Sequence, residues 1–294
     1  MKIFDVHSHW GTRRGYPLQS EAELAKQRQV WNSDPKYHSE EEMADYFRAS
    51  GVKTILDFGF TKNIPIDKVK AMHDYAMEVQ SKHADVIHGL WLQIHPKEGD
   101  AGVREFERVA KASKGFVGYL VSGPGLGKTA NDPVYDPYYD LAEAAKRPVL
   151  AMVGYTGAGA GHPGGGGQIL DYAHPRYVDV LAAKRPNLTI IAGRPAWPWQ
   201  DDMIAVLLHK PNVWYELHGW SPKYYSDALK REIGGRLQDR ILFGADYPLL
   251  SYERLVSDWT ALGYSAQVMD KVFFKNGEAL LDRLGALKPS RSGG

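Results

Sequence analysis

The chain has 294 residues, 44% of them hydrophobic, and its 36 basic and 35 acidic residues leave a formal charge of +1 at pH 7. That balance offers no electrostatic footing for nucleic acid or an anionic membrane surface, and the absence of cysteine excludes disulfides and thiolate metal ligands. No run of about 18 apolar residues could span a bilayer, and the opening MKIFDVHSHW lacks a signal-peptide core, so the expectation is a cytoplasmic protein acting on a small molecule.

Short apolar runs alternate with longer amphipathic stretches along the chain. Residues 2–6 (KIFDV) read as the first strand, and a long insertion over 10–38 follows it. A helix over 39–50 opens at Ser39 with Glu42 three positions on, the reciprocal pattern of a capping box. VKTILDFG, VIHGLWLQ, GFVGYLV, RPVLAMVG, LTIIAG, NVWYELHG and RILFGAD supply seven further strands. Helical segments separate them: IDKVKAMHDYAMEVQSKH, AGVREFERVAKA, YYDLAEAAK, PRYVDVLAAKRP, DDMIAVLLHK and a stretch near 223–235, with a last pair of helices near 251–284. Eight strand–helix units predict an α/β fold, a (β/α)8 TIM barrel, as a single domain over 1–287. Residues 288–294 read as a disordered or cloning-derived tail.

Barrels of this kind carry their active sites at the C-terminal ends of the strands. The glycine-rich segment 154–167 (GYTGAGAGHPGGGG) follows the fifth strand and reads either as a loop hugging a ligand with backbone N–H groups or as a flexible lid. It lacks the Gly-Lys-Ser/Thr ending of a P-loop, and Gly125–Thr129 (GLGKT) lacks that motif's first glycine.

Asp5, His7 and His9 form D-x-H-x-H at the first strand. Strand alternation points His7 and His9 to one side, which at a barrel mouth is the lumen, and two imidazoles so spaced can hold one divalent metal. Asp246, after the eighth apolar run, brings a carboxylate toward the same lumen; the plainer alternative is an aspartate capping the next turn. Glu216 and His218, two apart in YELHGW, share a face of the seventh strand. They read either as a proton-transfer pair or as an ion-pair partner of Arg194 and a strand cap. His95 ends the third strand, and His162 in the glycine loop could swing over the site. His83, His88, His174 and His209 sit on helices or at element ends and are expected to be solvated. Tyr155, Trp197, Trp199 and Trp220 cluster at the ends of strands five to seven, as a pocket wall or as packing.

DVHSH near the start, LFGADYP near the end and the stretch PNLTIIAGRPAWPWQDDMIAVLLHKPNVWYELHGWSPKYY resemble the amidohydrolase-2 branch of the amidohydrolase superfamily. The resemblance covers nearly the whole chain. That branch includes decarboxylases of aromatic and related unsaturated acids, and hydrolases of lactones and hydroxyphenyl-β-ketoacyl thioesters. The resemblance implies a barrel, a homodimer or higher homo-oligomer, and a zinc or manganese centre on His7, His9 and Asp246. Two positions depart from the family pattern. Histidines expected at the end of strand five and after strand six are Met152 in PVLAMVG and Arg194 in AGRPAWPW. A thioether is a poor ligand for zinc or manganese, and arginine cannot ligate at all. Three outcomes stand: the remaining His7, His9 and Asp246 hold a metal; the metal is lost and Arg194 replaces its charge, with His7, His9 or His218 as acid or base; or the barrel is a non-catalytic binding protein. The preferred expectation is a hydrolase of a small aromatic carbonyl, carboxylate or thioester compound. Water is activated at the strand-one histidines and Asp246, catalysis uses Asp246, Arg194, His218 and Glu216, and Arg194, Tyr155, His162, Trp197 and Trp220 hold the substrate. The alternative is non-oxidative decarboxylation, with Arg194 holding the substrate.

Overall fold

In a computed structural model that describes residues 1–16, 20–31, 36–58 and 64–285, eight parallel strands follow one another around a barrel in sequence order. They are β1 (Ile3–His9), β2 (Val52–Asp57), β3 (Ile87–Leu92), β4 (Phe116–Val121), β5 (Val149–Met152), β6 (Ile190–Gly193), β7 (Val213–Glu216) and β8 (Ile241–Leu242). The tail 288–294 lies outside the described residues. Each strand is followed by at least one helix, so each crossover returns the chain to the same end of the sheet, as parallel pairing requires. The helix Glu40–Ala49 opens at Ser39 with the expected capping box: the Glu42 amide donates to Ser39 Oγ at 3.1 Å and the Ser39 amide donates to Glu42 Oε2 at 2.7 Å. No helix among the described residues is long and apolar enough to cross a membrane.

The apolar side chains fall into two layers, with the alternation along β4 broken where its register with β3 shifts between Phe116 and Gly118. In β4, Phe116, Tyr119 and Val121 join the layer beneath the helices, while Val117 and Leu120 join Phe4, Val6, Trp91 and Leu150 inside the barrel. The interior is therefore a packed core and not a pore. Trp91 donates its indole N–H to the Val6 carbonyl at 2.7 Å, which satisfies a polar group that would otherwise be buried unpaired.

The barrel closes between β1 and the chain that follows β8. Val6 donates to the Phe243 carbonyl at 3.0 Å, Asp246 to that of His7 at 2.9 Å and His9 to that of Tyr247 at 2.8 Å. The Asp5 carboxylate clamps this seam. It accepts from the amides of His7 and Ala245 at 2.9 and 3.2 Å, and from Ser8 Oγ and Tyr252 OH at 2.5 and 2.6 Å. Burial pushes its pKa up to about 7 against those four donors.

Two local expectations are corrected. The insertion over 10–38 is not plain loop, because Glu21–Trp31 is helical. His83 is not solvated: it ends a helix at 5% exposure, packed 5.7 Å from the Trp10 ring.

Candidate active site

The C-terminal ends of the strands surround a cavity of about 390 Å³. Its polar lining includes His7 and His9 from β1, Asp57 from β2, Gln93 after β3, Arg194 after β6 and Asp246 after β8. Tyr16, Trp31, Tyr155, Trp220 and Tyr224 give it aromatic walls. Tyr155 meets Trp220 edge-on at 6.0 Å, and Tyr224 meets Trp220 edge-on at 6.1 Å.

Arg194 and Asp246 occupy the left-handed region, with φ of 75° and 60°. Such a backbone costs a non-glycine residue about 1–3 kcal/mol, and strain of this kind clusters at functional sites. Gly219, at φ 76°, makes room for Asp246: a Cβ there would lie 2.8 Å from Asp246 Oδ2.

His9 is held from both sides. Its Nδ1 lies 2.8 Å from the Asp57 carbonyl oxygen, which can only accept, and its Nε2 lies 3.0 Å from Asp246 Oδ1. Burial opposes the charge on His9, but the hydrogen bond to Asp246 and the Asp246 and Asp57 charges outweigh it and raise its pKa to about 9. Burial likewise opposes the Asp246 charge, and the His9 hydrogen bond with the neighbouring histidines holds that carboxyl well below its usual range. The pair is an imidazolium and a carboxylate sharing a proton at the cavity surface.

His7 differs. It is 1% exposed, and burial followed by the charges of His218 and His9 keeps it well below the ordinary histidine pKa. Neither ring nitrogen has a hydrogen-bond partner. Its ring packs 3.9 Å, centre to centre, from that of His218. His218 Nδ1 is hydrogen-bonded to Glu216 Oε2, and both residues are fully buried. Burial raises the pKa of Glu216, with His218 opposing. Glu216 and His218 are not among the residues lining the cavity. His218 packs on the ring of His7, which does line the cavity.

Arg194 is half-buried, and its Nη1 is buried without a hydrogen-bond partner. Burial disfavours its charge, and the carboxylates of Asp246, Glu216 and Asp57 oppose that. The ion pair with Glu216 weighed from the sequence is absent as a direct contact, since Glu216 bonds His218 instead.

Of the residues singled out in the sequence, the structure brings His7, His9, Met152, Tyr155, Arg194, Trp220 and Asp246 to one cavity. His162 is exposed and away from the lining. Trp197 is 47% exposed and touches the site only through Trp220 and Tyr155, each 6.0 Å away. Sequence reasoning missed Asp57, Gln93, Tyr16, Gln27 and Trp31. Asp57 and Gln93 were findable as polar residues at the mouth end of apolar strands. The other three lie in the 10–38 insertion. The glycine segment reaches the cavity through Tyr155–Ala158 and packs on the insertion's helix: a Cβ on Gly157 would overlap the Trp31 ring, and one on Gly161 would lie 2.8 Å from Val30.

Two groups of donors are spaced for a metal ion, with all ligand atoms in each within 4.8 Å: His7, His9 and Asp246, and His7, Glu216 and His218. Asp57, Glu216 and Asp246 set three carboxyl groups around these imidazoles. His7 and His218 also carry buried nitrogens without partners. These residues fit a divalent cation.

A family model described as amidohydrolase matches residues 4–283. No functionally curated protein matches the sequence. Among solved structures, an uncharacterized TIM-barrel protein from Bordetella bronchiseptica is similar at 21% identity and a TM-score of 0.71, over 97% of this chain and 100% of that one. The 2,6-dihydroxybenzoate decarboxylase from Rhizobium is similar at 17% identity and a TM-score of 0.69, over 96% and 99%. A dihydroxybenzoic acid decarboxylase from Polaromonas, solved with manganese and the inhibitor 2-nitroresorcinol, is similar at 16% identity and a TM-score of 0.65, over 98% and 99%.

Proposed function

The chain belongs to the amidohydrolase family, as an enzyme of the hydrolase or carboxy-lyase class, and from that premise we propose that it is a non-oxidative decarboxylase of a small aromatic acid. One observation carries the reading: a half-buried Arg194, whose Nη1 is buried without a hydrogen-bond partner, lines an aromatic-walled cavity beside a proton-bearing His9–Asp246 pair. The two similar decarboxylases, both named for dihydroxybenzoic acids, support the same choice. This puts first the reaction that ranked second from the sequence.

Arg194 binds the substrate carboxylate, since a guanidinium presents paired N–H donors to two oxygens. Tyr155 and Trp220 flank the ring. The proton between His9 Nε2 and Asp246 Oδ1 passes to the ring carbon that bears the carboxylate. A C–H bond forms there, the C–C bond breaks, its electron pair restores the aromatic system, and carbon dioxide leaves. Solvent returns a proton to the His9–Asp246 pair. A divalent ion on His7, Glu216 and His218 would leave the His9–Asp246 proton in place and would supply positive charge near the anionic substrate.

Hydrolysis is the second reading, favoured by the spacing of His7, His9 and Asp246, which suits water activation. Turnover of hydroxybenzoic acids in deuterated water separates the two. Decarboxylation gives bicarbonate and one deuterium at the vacated ring position. Uptake of labelled oxygen from water into the organic product, without carbon dioxide, would establish hydrolysis and end the decarboxylase reading.

A further inference from the structure

We infer that Gln27, on the helix Glu21–Trp31 of the insertion after β1, is a specificity residue: its side-chain amide donates a hydrogen bond to an oxygen substituent on the ring of the bound acid, apart from the carboxylate that Arg194 holds. This role rests on the aromatic-acid reading of the cavity and is the same for decarboxylation and for hydrolysis.

Leu24, Gln27 and Trp31 recur at helical spacing and share one face of their helix. That face turns inward: Leu24 is 1% exposed and Gln27 3%, and Gln27 and Trp31 line the cavity. Packing alone would place an apolar side chain at 27, because a buried amide is costly unless its atoms are hydrogen-bonded. The protein meets half of that requirement itself. Tyr16 OH donates to Gln27 Oε1 at 3.2 Å, which orients the amide and leaves Nε2 as its open end. Among the described residues Gln27 Nε2 has no acceptor, so its N–H groups await one from a ligand in the cavity.

Position links this donor to the chemistry. The Tyr16 ring meets the His9 ring edge-on at 5.8 Å, so one tyrosine side chain bridges the proton-bearing His9–Asp246 pair and the Gln27 amide. A ring held at its carboxylate by Arg194 is thereby met at a second point. A neutral amide suits an uncharged oxygen such as a hydroxyl, whereas a second carboxylate calls for a cation. Trp31 limits the size of the substituent. A Cβ on Gly157 would overlap its indole, so the ring is packed from behind and has no room to retreat. The chemical class is a benzoic acid with a small oxygen substituent. A methyl group in the same place would cover Nε2 without offering an acceptor, which is how a polar site rejects an apolar isostere.

The test is equilibrium binding to the full chain, read by quenching of tryptophan fluorescence, with benzoate and the isomeric hydroxybenzoates and methylbenzoates as probes. Wild type is expected to bind at least one hydroxybenzoate about 10- to 100-fold more tightly than its methyl isostere. Gln27→Met keeps the length of the side chain without its donor, and should bring that ratio to within about threefold with a smaller effect on benzoate. Gln27→Glu keeps an acceptor for Tyr16 OH, so it serves should the methionine variant fail to fold. It should weaken the same hydroxybenzoate about tenfold more than it weakens benzoate. Circular-dichroism melting separates a lost contact from lost folding. Wild type that binds hydroxy- and methylbenzoates alike, or a ratio unchanged in the variants, overturns the role of Gln27 and leaves the aromatic-acid reading standing. Wild type that binds none of the probes overturns that reading and the role of Gln27 with it.

Discussion

At the scale of single residues, Arg194 makes the sharpest commitment. Its Nη1 is buried without a hydrogen-bond partner, and an unsatisfied buried donor is costly unless a ligand accepts from it. Lysine carries the same charge but not the planar fork. Arg194→Lys is therefore expected to raise KM for an aromatic acid by about 10- to 100-fold, with a smaller effect on kcat. An unchanged KM in steady-state kinetics would remove Arg194 from carboxylate binding. Arg194, His7, His9 and Asp246 were all legible in the sequence, because each is a polar residue at the end of an apolar strand or the turn after one. Gln27 and Trp31 were not. The helix that carries them buries only Leu24 and Gln27, so no apolar stripe betrays it: its inner face looks onto a cavity and not into a core. The hidden position of Glu216 and His218 was equally illegible. Strand alternation placed them on the lumen side, but it could not tell that His218 packs on the ring of His7, which does line the cavity.

At the scale of elements, the strands were readable because most are buried on both faces and appear as short apolar runs. Their ends were less so. β1 runs on to His9, three residues past the expected KIFDV and with a register break between Asp5 and Ser8, while β8 pairs only over Ile241–Leu242. The turns beyond the last strands are shaped by polar contacts between distant segments, which no local pattern records. The outer helices show a different tie. His73, on the helix Ile66–Lys82, meets Glu105 Oε1 at 2.6 Å on the helix Gly99–Ala112, and Arg108 holds Glu105 Oε2 at 2.7 Å and Asp74 at 2.7 Å. Burial alone would raise the Glu105 pKa, but the hydrogen bonds from His73 and Arg108 outweigh it and hold it at about 2. The unfolded chain titrates near 4.3. The folded value is the lower one, so the contribution is complete above about pH 4.3 and is lost as pH falls toward 2. Glu105→Gln is expected to cost about 2 kcal/mol at pH 7. In urea titrations its gap from wild type should narrow between pH 5 and pH 3; a gap that widens there contradicts the tie.

At the scale of the whole molecule, eight repeating units made the barrel the plainest inference from the sequence, whereas its closure had no local signature. Asp5 reads as the opening of a metal motif and proves to be the clamp of the seam. Asp5→Asn puts an N–H₂ group among four donors, leaving several without an acceptor, and is expected to lower the unfolding free energy by about 2–4 kcal/mol. An unaltered urea midpoint would show that the seam closes without it. The same clamp sets an order of events during synthesis. Asp5 and Ala245 are 240 residues apart, so a ribosome must deliver most of the polypeptide before the first strand gains its second neighbour. Until then β1 presents a bare edge and a carboxylate short of donors, the kind of exposed edge that recruits other chains. Slower synthesis of the segment leading to Ala245 is therefore expected to lengthen the exposure of this edge.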